Sequence, residues 1–370
     1  MISENQIVDI LKTIKYPGFS RDIISFGLIK NIEISNKDIT ITLYLKSNDS
    51  KIVEKLKHEI NSEVSNKINF DNLNINVEVD KIESDFENNK IEGIKNIIAV
   101  GSAKGGVGKS TIAINIASQL SKTHKVGFLD LDIYGPSLPL MVGTKTTPKI
   151  INNQLIPIEK FNMKLMSFGF LNQGDAPAIW RGPMVAKLTN QFFDNVDWGE
   201  LDFLIIDLPP GTGDIQLTLA QKLSLDGAII ITTPQQISLE DVRKGSEMFK
   251  KVNVPIIGII ENMSKLLISG KLVKRDAESL NELIIDSEKI IIDEDGSFDF
   301  EYKVFEGPGG LSESSRLEVP MIGEIYLDPR LSISVDKGTP FVLEHINNNI
   351  SEEFVKIENA IKKYLISNGK

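Results

Sequence analysis

Nine consecutive residues, Ala103-Lys104-Gly105-Gly106-Val107-Gly108-Lys109-Ser110-Thr111, have the composition of a phosphate cradle. Glycines let backbone N–H groups close on phosphate oxygens with no Cβ in the way. The stretch follows an apolar run, residues 97–100, and opens a helix-spaced segment through Ile116 and Leu120. That strand–loop–helix setting is what a P-loop requires, and the helix N-terminus adds unpaired donors and a favourable dipole. Lys109 is placed to reach the β- and γ-phosphates of ATP, and Ser110 to ligate Mg²⁺. The usual pattern has glycine where this chain has Ala103. Alanine serves there if its φ is negative.

Three carboxylates complete the chemistry. Asp130 and Asp132 end the apolar run that starts at Val126, and Asp207 ends the run 204–206. Ligands bind at the C-terminal ends of parallel strands. Asp132 is the candidate for orienting the attacking water, with Asp130 near the metal shell. Asp207 is expected to hold Mg²⁺ through water. The segment Pro209-Pro-Gly-Thr-Gly213 is stiff and then free, which suits a loop that senses the γ-phosphate.

The elements that must position these groups are legible as periodicity. Short apolar runs at 97–100, 126–131, 204–206, 228–231 and 256–260 alternate with helix-length segments. Continuous apolar strands between helices predict a parallel sheet covered on both faces, a doubly wound α/β domain over 96–370. Residues 1–80 read as a separate small α+β domain. There, 7–14 and 52–68 have helical spacing, and 38–45 and 72–79 alternate as strands. The polar stretch 81–95 reads as a linker. Near the end, Phe354, Ile357, Ile361, Tyr364 and Leu365 share one helical face, expected to dock on its own domain.

Bulk properties exclude several functions. A net charge of -10 and a pI near 5.1 argue against a non-specific nucleic-acid binder. The absence of cysteine removes disulfides, thiol catalysis and thiolate metal sites. His58, His124 and His345 are too scattered to suggest a ligand cluster. No run of eighteen apolar residues predicts a membrane span. The polar N-terminus lacks a signal pattern, so a cytoplasmic protein without membrane or nucleic-acid partners is expected.

The doubled lysine narrows the reading. Lys104-Gly-Gly-Val-Gly-Lys109-Ser-Thr resembles the deviant P-loop of the group containing MinD, ParA, the nitrogenase iron protein and the Mrp/ApbC iron–sulfur carriers. The resemblance implies that Lys104 reaches across a homodimer to the partner's nucleotide, a task like that of an arginine finger. It also implies that Asn262 hydrogen-bonds the adenine, with Pro234 lining the same pocket. Further stretches resemble the Mrp/ApbC family itself: Asp130-Leu-Asp-Ile-Tyr-Gly-Pro-Ser-Leu-Pro139, Trp180-Arg-Gly-Pro-Met184, Asp207-Leu-Pro-Pro-Gly-Thr-Gly-Asp214, Glu261-Asn-Met-Ser264 and Asp336-Lys-Gly-Thr-Pro340. Tyr16-Pro-Gly-Phe-Ser-Arg21 begins a match to the small domain that precedes many such ATPases. The resemblance implies an ATP-hydrolysing homodimer that carries iron–sulfur clusters to apoproteins or works with assembly factors. A MinD- or ParA-type interaction switch is the alternative.

One departure stands out. The family commonly places a Cys-x-x-Cys pair soon after Asn-Met-Ser to hold a cluster across the dimer, and this chain has no cysteine. In its place lies a segment with Asp295-Gly296 between two apolar-rich runs, which predicts a β-hairpin near 285–304. Asp293, Glu294 and Asp295 are expected to form its solvated turn.

Overall fold

The structure is a computed structural model, and it describes residues 3–15, 22–25, 27–35, 37–45, 50–79, 91–133, 135–171, 192–193, 195–273, 283–307 and 309–369. The stretches Tyr16–Arg21 and Trp180–Met184, most of the expected linker, Tyr134 and Pro308 lie outside these residues. The chain divides into two compact units, residues 1–87 and 88–370.

The first unit contains α1 (Glu4–Leu11), β1 (Ile29–Ser35), β2 (Asp38–Leu45), α2 (Ser50–Lys67) and β3 (Asn72–Val79). Ser3 and Gln6 cap α1 reciprocally through side chain and backbone. The sheet order is β1-β2-β3, with β2 antiparallel to β1 and parallel to β3. Alternation along β2 puts Ile39, Ile41 and Leu43 inward, where they bury against Ile7 and Leu11 of α1 and Leu56 and Ile60 of α2.

The second unit is built on an eight-stranded sheet. In chain order its elements begin β4 (Ile94–Gly101), α3 (Lys109–Leu120), β5 (Val126–Asp130), α4 (Leu138–Met141), β6 (Lys149–Ile151), β7 (Gln154–Ile156), β8 (Ile158–Lys160), β9 (Met163–Ser167) and α5 (Phe168–Leu171). Next come β10 (Leu201–Asp207), α6 (Asp214–Lys222), β11 (Gly227–Thr232), α7 (Gln236–Lys251) and β12 (Ile256–Asn262). Four strands of the 266–302 segment follow: β13 (Leu266–Lys271), β14 (Leu283–Ile285), β15 (Glu288–Ile290) and β16 (Ser297–Tyr302). The chain closes with α8 (Gly309–Leu317), β17 (Met321–Ile325), α9 (Pro329–Asp336), α10 (Phe341–Glu344) and α11 (Asn349–Ser367).

The sheet order is β17-β12-β11-β4-β10-β5-β9-β8, parallel throughout except that β8 runs against β9. This is the doubly wound α/β arrangement that the apolar runs predict. One face buries α3, α10 and α11 with Ile112, Phe341, Phe354, Ile357 and Ile361; the other buries Phe192, Trp198, Leu219 and Phe249. The apolar face of α11 is thus consumed within its own unit. Among the described residues no helix is long and apolar enough to cross a membrane. β4 begins at Ile94, inside the stretch read as linker, because Ile91 and Ile94 are already buried.

The 266–302 segment differs from the expected hairpin. The Asp295-Gly296 turn forms, with Gly296 N–H donating to Asp293 O at 2.9 Å and Asp293 N–H to Ser297 O at 2.7 Å. Its flanking strands, however, pair elsewhere. β16 runs antiparallel to β13, from Leu266 opposite Tyr302 to Lys271 opposite Ser297, and β15 pairs with β14. Asp286 and Ser287, both at positive φ, close the β14–β15 hairpin. An Asp-Gly pair specifies a turn but not a partner. Ile268 faces Phe300, and the Phe298 ring covers Gly270, which gives β16 better cross-strand neighbours on β13.

Candidate nucleotide site

Parallel register gathers the predicted groups at one sheet edge. Asp207 ends β10 between Val100 of β4 and Asp130 of β5, so the P-loop and both carboxylates emerge side by side. The loop turns through Gly106 (φ +81) and Gly108 (φ +79), the latter capping α3. Ala103 is absent from the positive-φ residues, which is why alanine is tolerated there. Ser102 Oγ donates to the Lys104 carbonyl at 2.9 Å, fixing the backbone beneath the partly exposed Lys104. Further along, Asn115 Nδ2 donates to Thr111 O at 2.8 Å.

Beneath the loop, the buried Lys109 ammonium is paired with Asp207 Oδ1 and donates to Ser110 Oγ at 3.3 Å. Burial pushes Asp207 above its ordinary value, while Lys109 pulls it down. Asp207 Oδ2 is buried with no hydrogen-bond partner. A buried orphan carboxylate oxygen beside a serine hydroxyl is a donor set that a hard divalent cation fits.

Asp130, the carboxylate expected near the metal shell, sits beside Asp207 in the sheet. Its carboxylate is fully buried, and both oxygens already accept from protein donors. Oδ1 takes Asp132 N–H at 2.9 Å; Oδ2 takes Ser167 Oγ at 3.0 Å and Leu138 N–H at 3.3 Å. Burial first, then the Asp207 carboxylate, push Asp130 up to about 7. Through the Asp132 and Leu138 amides it also ties down both ends of the loop that carries Asp132. Asp132 is itself partly exposed and accepts from Gly135 N–H at 3.1 Å. No signal near Ser167 in the sequence announces its bond to Asp130, because the contact spans two strands.

Asn262 lies at the end of β12, directly against the P-loop. Its Nδ2 donates to Val107 O at 2.8 Å. That bond leaves the side-chain oxygen as the atom able to accept from a base. Pro234 is buried, and its carbonyl stands against Gly307, where a Cβ would come within 2.0 Å. Beside Asn262, Glu261 accepts from Gly310 N–H at the start of α8, and burial raises its pKa. Sequence reasoning gave Glu261 no role. A carboxylate at a helix N-terminus is a recognisable pairing once α8 is known to start there. Gln216 was missed as well, although a Gln three residues after Gly213 is half of a capping box.

Among the described residues no group of three or more histidine, cysteine, aspartate or glutamate side chains could hold a metal ion. With no cysteine anywhere in the chain, the donor set does not fit an iron–sulfur cluster.

Known proteins show which family the chain resembles. The family "ParA: NUBPL iron-transfer P-loop NTPase" matches residues 93–276. The iron–sulfur cluster carrier protein of Aquifex aeolicus is 40% identical over 76% of this chain and 71% of its own length. That of Helicobacter pylori is 32% identical over 99% and 94%. Among solved structures, a nucleotide-binding protein from Archaeoglobus fulgidus in complex with ADP is similar with a TM-score of 0.55 and 31% identity, covering 73% of this chain and 96% of that one. The chain belongs to the iron–sulfur cluster carrier family of P-loop NTPases.

Proposed function

We propose that this protein binds and hydrolyses ATP with Mg²⁺, as a homodimer, in the service of iron–sulfur protein assembly on apoproteins. The observation that carries the reading is the Lys109–Asp207–Ser110 cluster beneath a glycine-rich loop at a helix N-terminus. Lys109 and the loop amides of residues 103–111 receive the phosphates. Ser110 and Asp207 hold Mg²⁺, which when bound neutralises phosphate charge. Asp132, on the loop braced by Asp130, orients the attacking water. Lys104 adds positive charge to the partner subunit's nucleotide as the transition state spreads negative charge. Asn262 accepts from the adenine, and Pro234 lines the base pocket.

Carriers among the relatives supply the assembly reading, but this chain has no thiolate of its own. Its part is the nucleotide-timed handling of a client, with cluster ligands supplied by the partner protein. A MinD- or ParA-type membrane switch is disfavoured by α11, whose apolar face is packed against α3 and β17.

The test is capture with an ATP-trapped Asp132→Ala protein. Recovery of iron–sulfur apoproteins or assembly factors supports the reading. Recovery of membrane lipid or DNA, with no such clients, contradicts it. Anaerobic treatment with iron and sulfide should load no cluster onto the isolated chain.

A further inference from the structure

The loop that joins Asp207 to α6 is held by one side chain from below. Gln216, in the first turn of α6, is 3% exposed. Both ends of its amide are engaged. Nε2 donates to Pro209 O at 2.6 Å, and Oε1 accepts from Gly213 N–H at 2.7 Å. Those two atoms stand at opposite ends of the loop. Between them, Gly211 N–H donates to Ser102 O at 2.9 Å. Ser102 in turn braces the Lys104 carbonyl. Gly211, at φ +107, lies over the Gln216 amide so closely that a Cβ would stand 3.4 Å from Nε2.

One side chain therefore closes this loop across its base, while the middle of the loop is fastened to Ser102, the residue that leads into the P-loop. Pro209 and Pro210 stiffen the first half and donate nothing. The second half, Gly211-Thr-Gly213, has the conformational freedom to move. A buried amide that satisfies one donor and one acceptor at fixed separation removes much of that freedom, because releasing either bond strands a polar group.

We propose that Gln216 is a positioning residue for nucleotide turnover. Buried beneath the 209–213 loop, it acts through that loop, setting where it stands relative to the P-loop and to Asp207. The inference rests on the ATPase reading above. A helix cap that served stability alone would lower the melting temperature and leave turnover per folded molecule unchanged.

The experiment uses the full chain with MgATP. Gln216→Met keeps the length and loses both hydrogen bonds. It should lower kcat by about tenfold, with KM for ATP within about twofold of wild type. Hydrogen exchange at Gly211, Thr212 and Gly213 should speed up, while exchange along α3 stays as in wild type. Gln216→Glu, which keeps the acceptor for Gly213 N–H, should recover part of the loss. Wild-type kcat in Gln216→Met overturns the proposal. So does an equal loss of kcat and ATP affinity, or a fall in melting temperature with turnover per folded molecule unchanged. If the wild-type protein itself shows no turnover, the ATPase reading fails and takes this inference with it. If wild type turns over and the variant matches it, this inference alone fails.

Discussion

Asn262 donates its side-chain amide to the main-chain carbonyl of Val107 at 2.8 Å. The bond ties the end of β12 to the phosphate loop, across 155 residues of sequence. The group proposed to read the base and the loop proposed to hold the phosphates are therefore one mechanical unit.

Replacing Asn262 with Ala strands a buried carbonyl and removes the acceptor for the base. Leaving that carbonyl unpaired costs about 1–3 kcal/mol of stability, and leaving the base's donor unpaired costs a similar energy of binding, about 5–150-fold in affinity. Titration with a fluorescent ATP analogue should show that loss, together with weaker discrimination between adenine and guanine nucleotides. Unchanged affinity and unchanged preference would remove Asn262 from the site.

Two glycines in the loop should behave differently. A Cβ on Gly108 would fall 2.3 Å from Asn262 Nδ2, at a backbone φ of +79. Strain of this kind costs about 1–3 kcal/mol, so Gly108→Ala should lower both melting temperature and nucleotide affinity. Around Gly105 a Cβ meets nothing within 4 Å, and its φ is not left-handed. Gly105→Ala should keep the melting temperature and weaken only nucleotide binding. Comparing melting and binding for the pair checks this. Equal effects of the two would show that the loop does not close on phosphate there.

The Lys109–Asp207 pair is buried, with side-chain exposures of 5% and 0%. Lys109→Met leaves an uncompensated carboxylate and should destabilise the second unit by about 3–5 kcal/mol. Adding Asp207→Asn removes that charge and should restore much of the loss. Denaturation followed by tryptophan fluorescence reports on this unit, because Trp198 is buried in it and residues 1–87 contain no tryptophan. Additive effects of the two changes would mean the pair is not coupled.

Asp202 gives a pH dependence at the opposite end of the sheet. It accepts from Lys95 Nζ at 2.8 Å and from Lys125 N–H at 2.9 Å. Lys95 first, then the Lys125 amide, hold its carboxyl below the ordinary value of 3.8. A depressed acid stabilises the fold above its unfolded value, and that contribution is lost as pH falls through the folded one. Stability of the second unit should therefore decline below about pH 4, through this group among others. Asp202→Asn should flatten the acid limb and lower stability at neutral pH. An unchanged acid limb in the variant would contradict the assignment.

How much of this was legible depends on the range of each interaction. The P-loop could be read because glycine spacing and two lysines are local and chemically specific. The strands around it could be read because a sheet buried on both faces leaves continuous apolar runs such as 204–206. Asp207 followed from its place at the end of such a run. Asp130 looks the same in sequence; only the arrival of Ser167 and Leu138 shows that its oxygens are occupied. The Asp295-Gly296 turn was written locally, but whether β16 pairs with β15 or with β13 depends on how Phe298 and Phe300 pack against residues 266–271. Gln216 had a local signal in its spacing from Gly213, yet its second bond, to Pro209, needed the loop's conformation.

Every role proposed for these residues requires a triphosphate held over Lys109. Calorimetric titration of the full chain with ATP and Mg²⁺ tests it most directly, run beside Lys109→Met. The wild-type chain should bind one nucleotide saturably, and the variant at least tenfold more weakly. No heat of binding in the wild type, or the same affinity in both proteins, would contradict it.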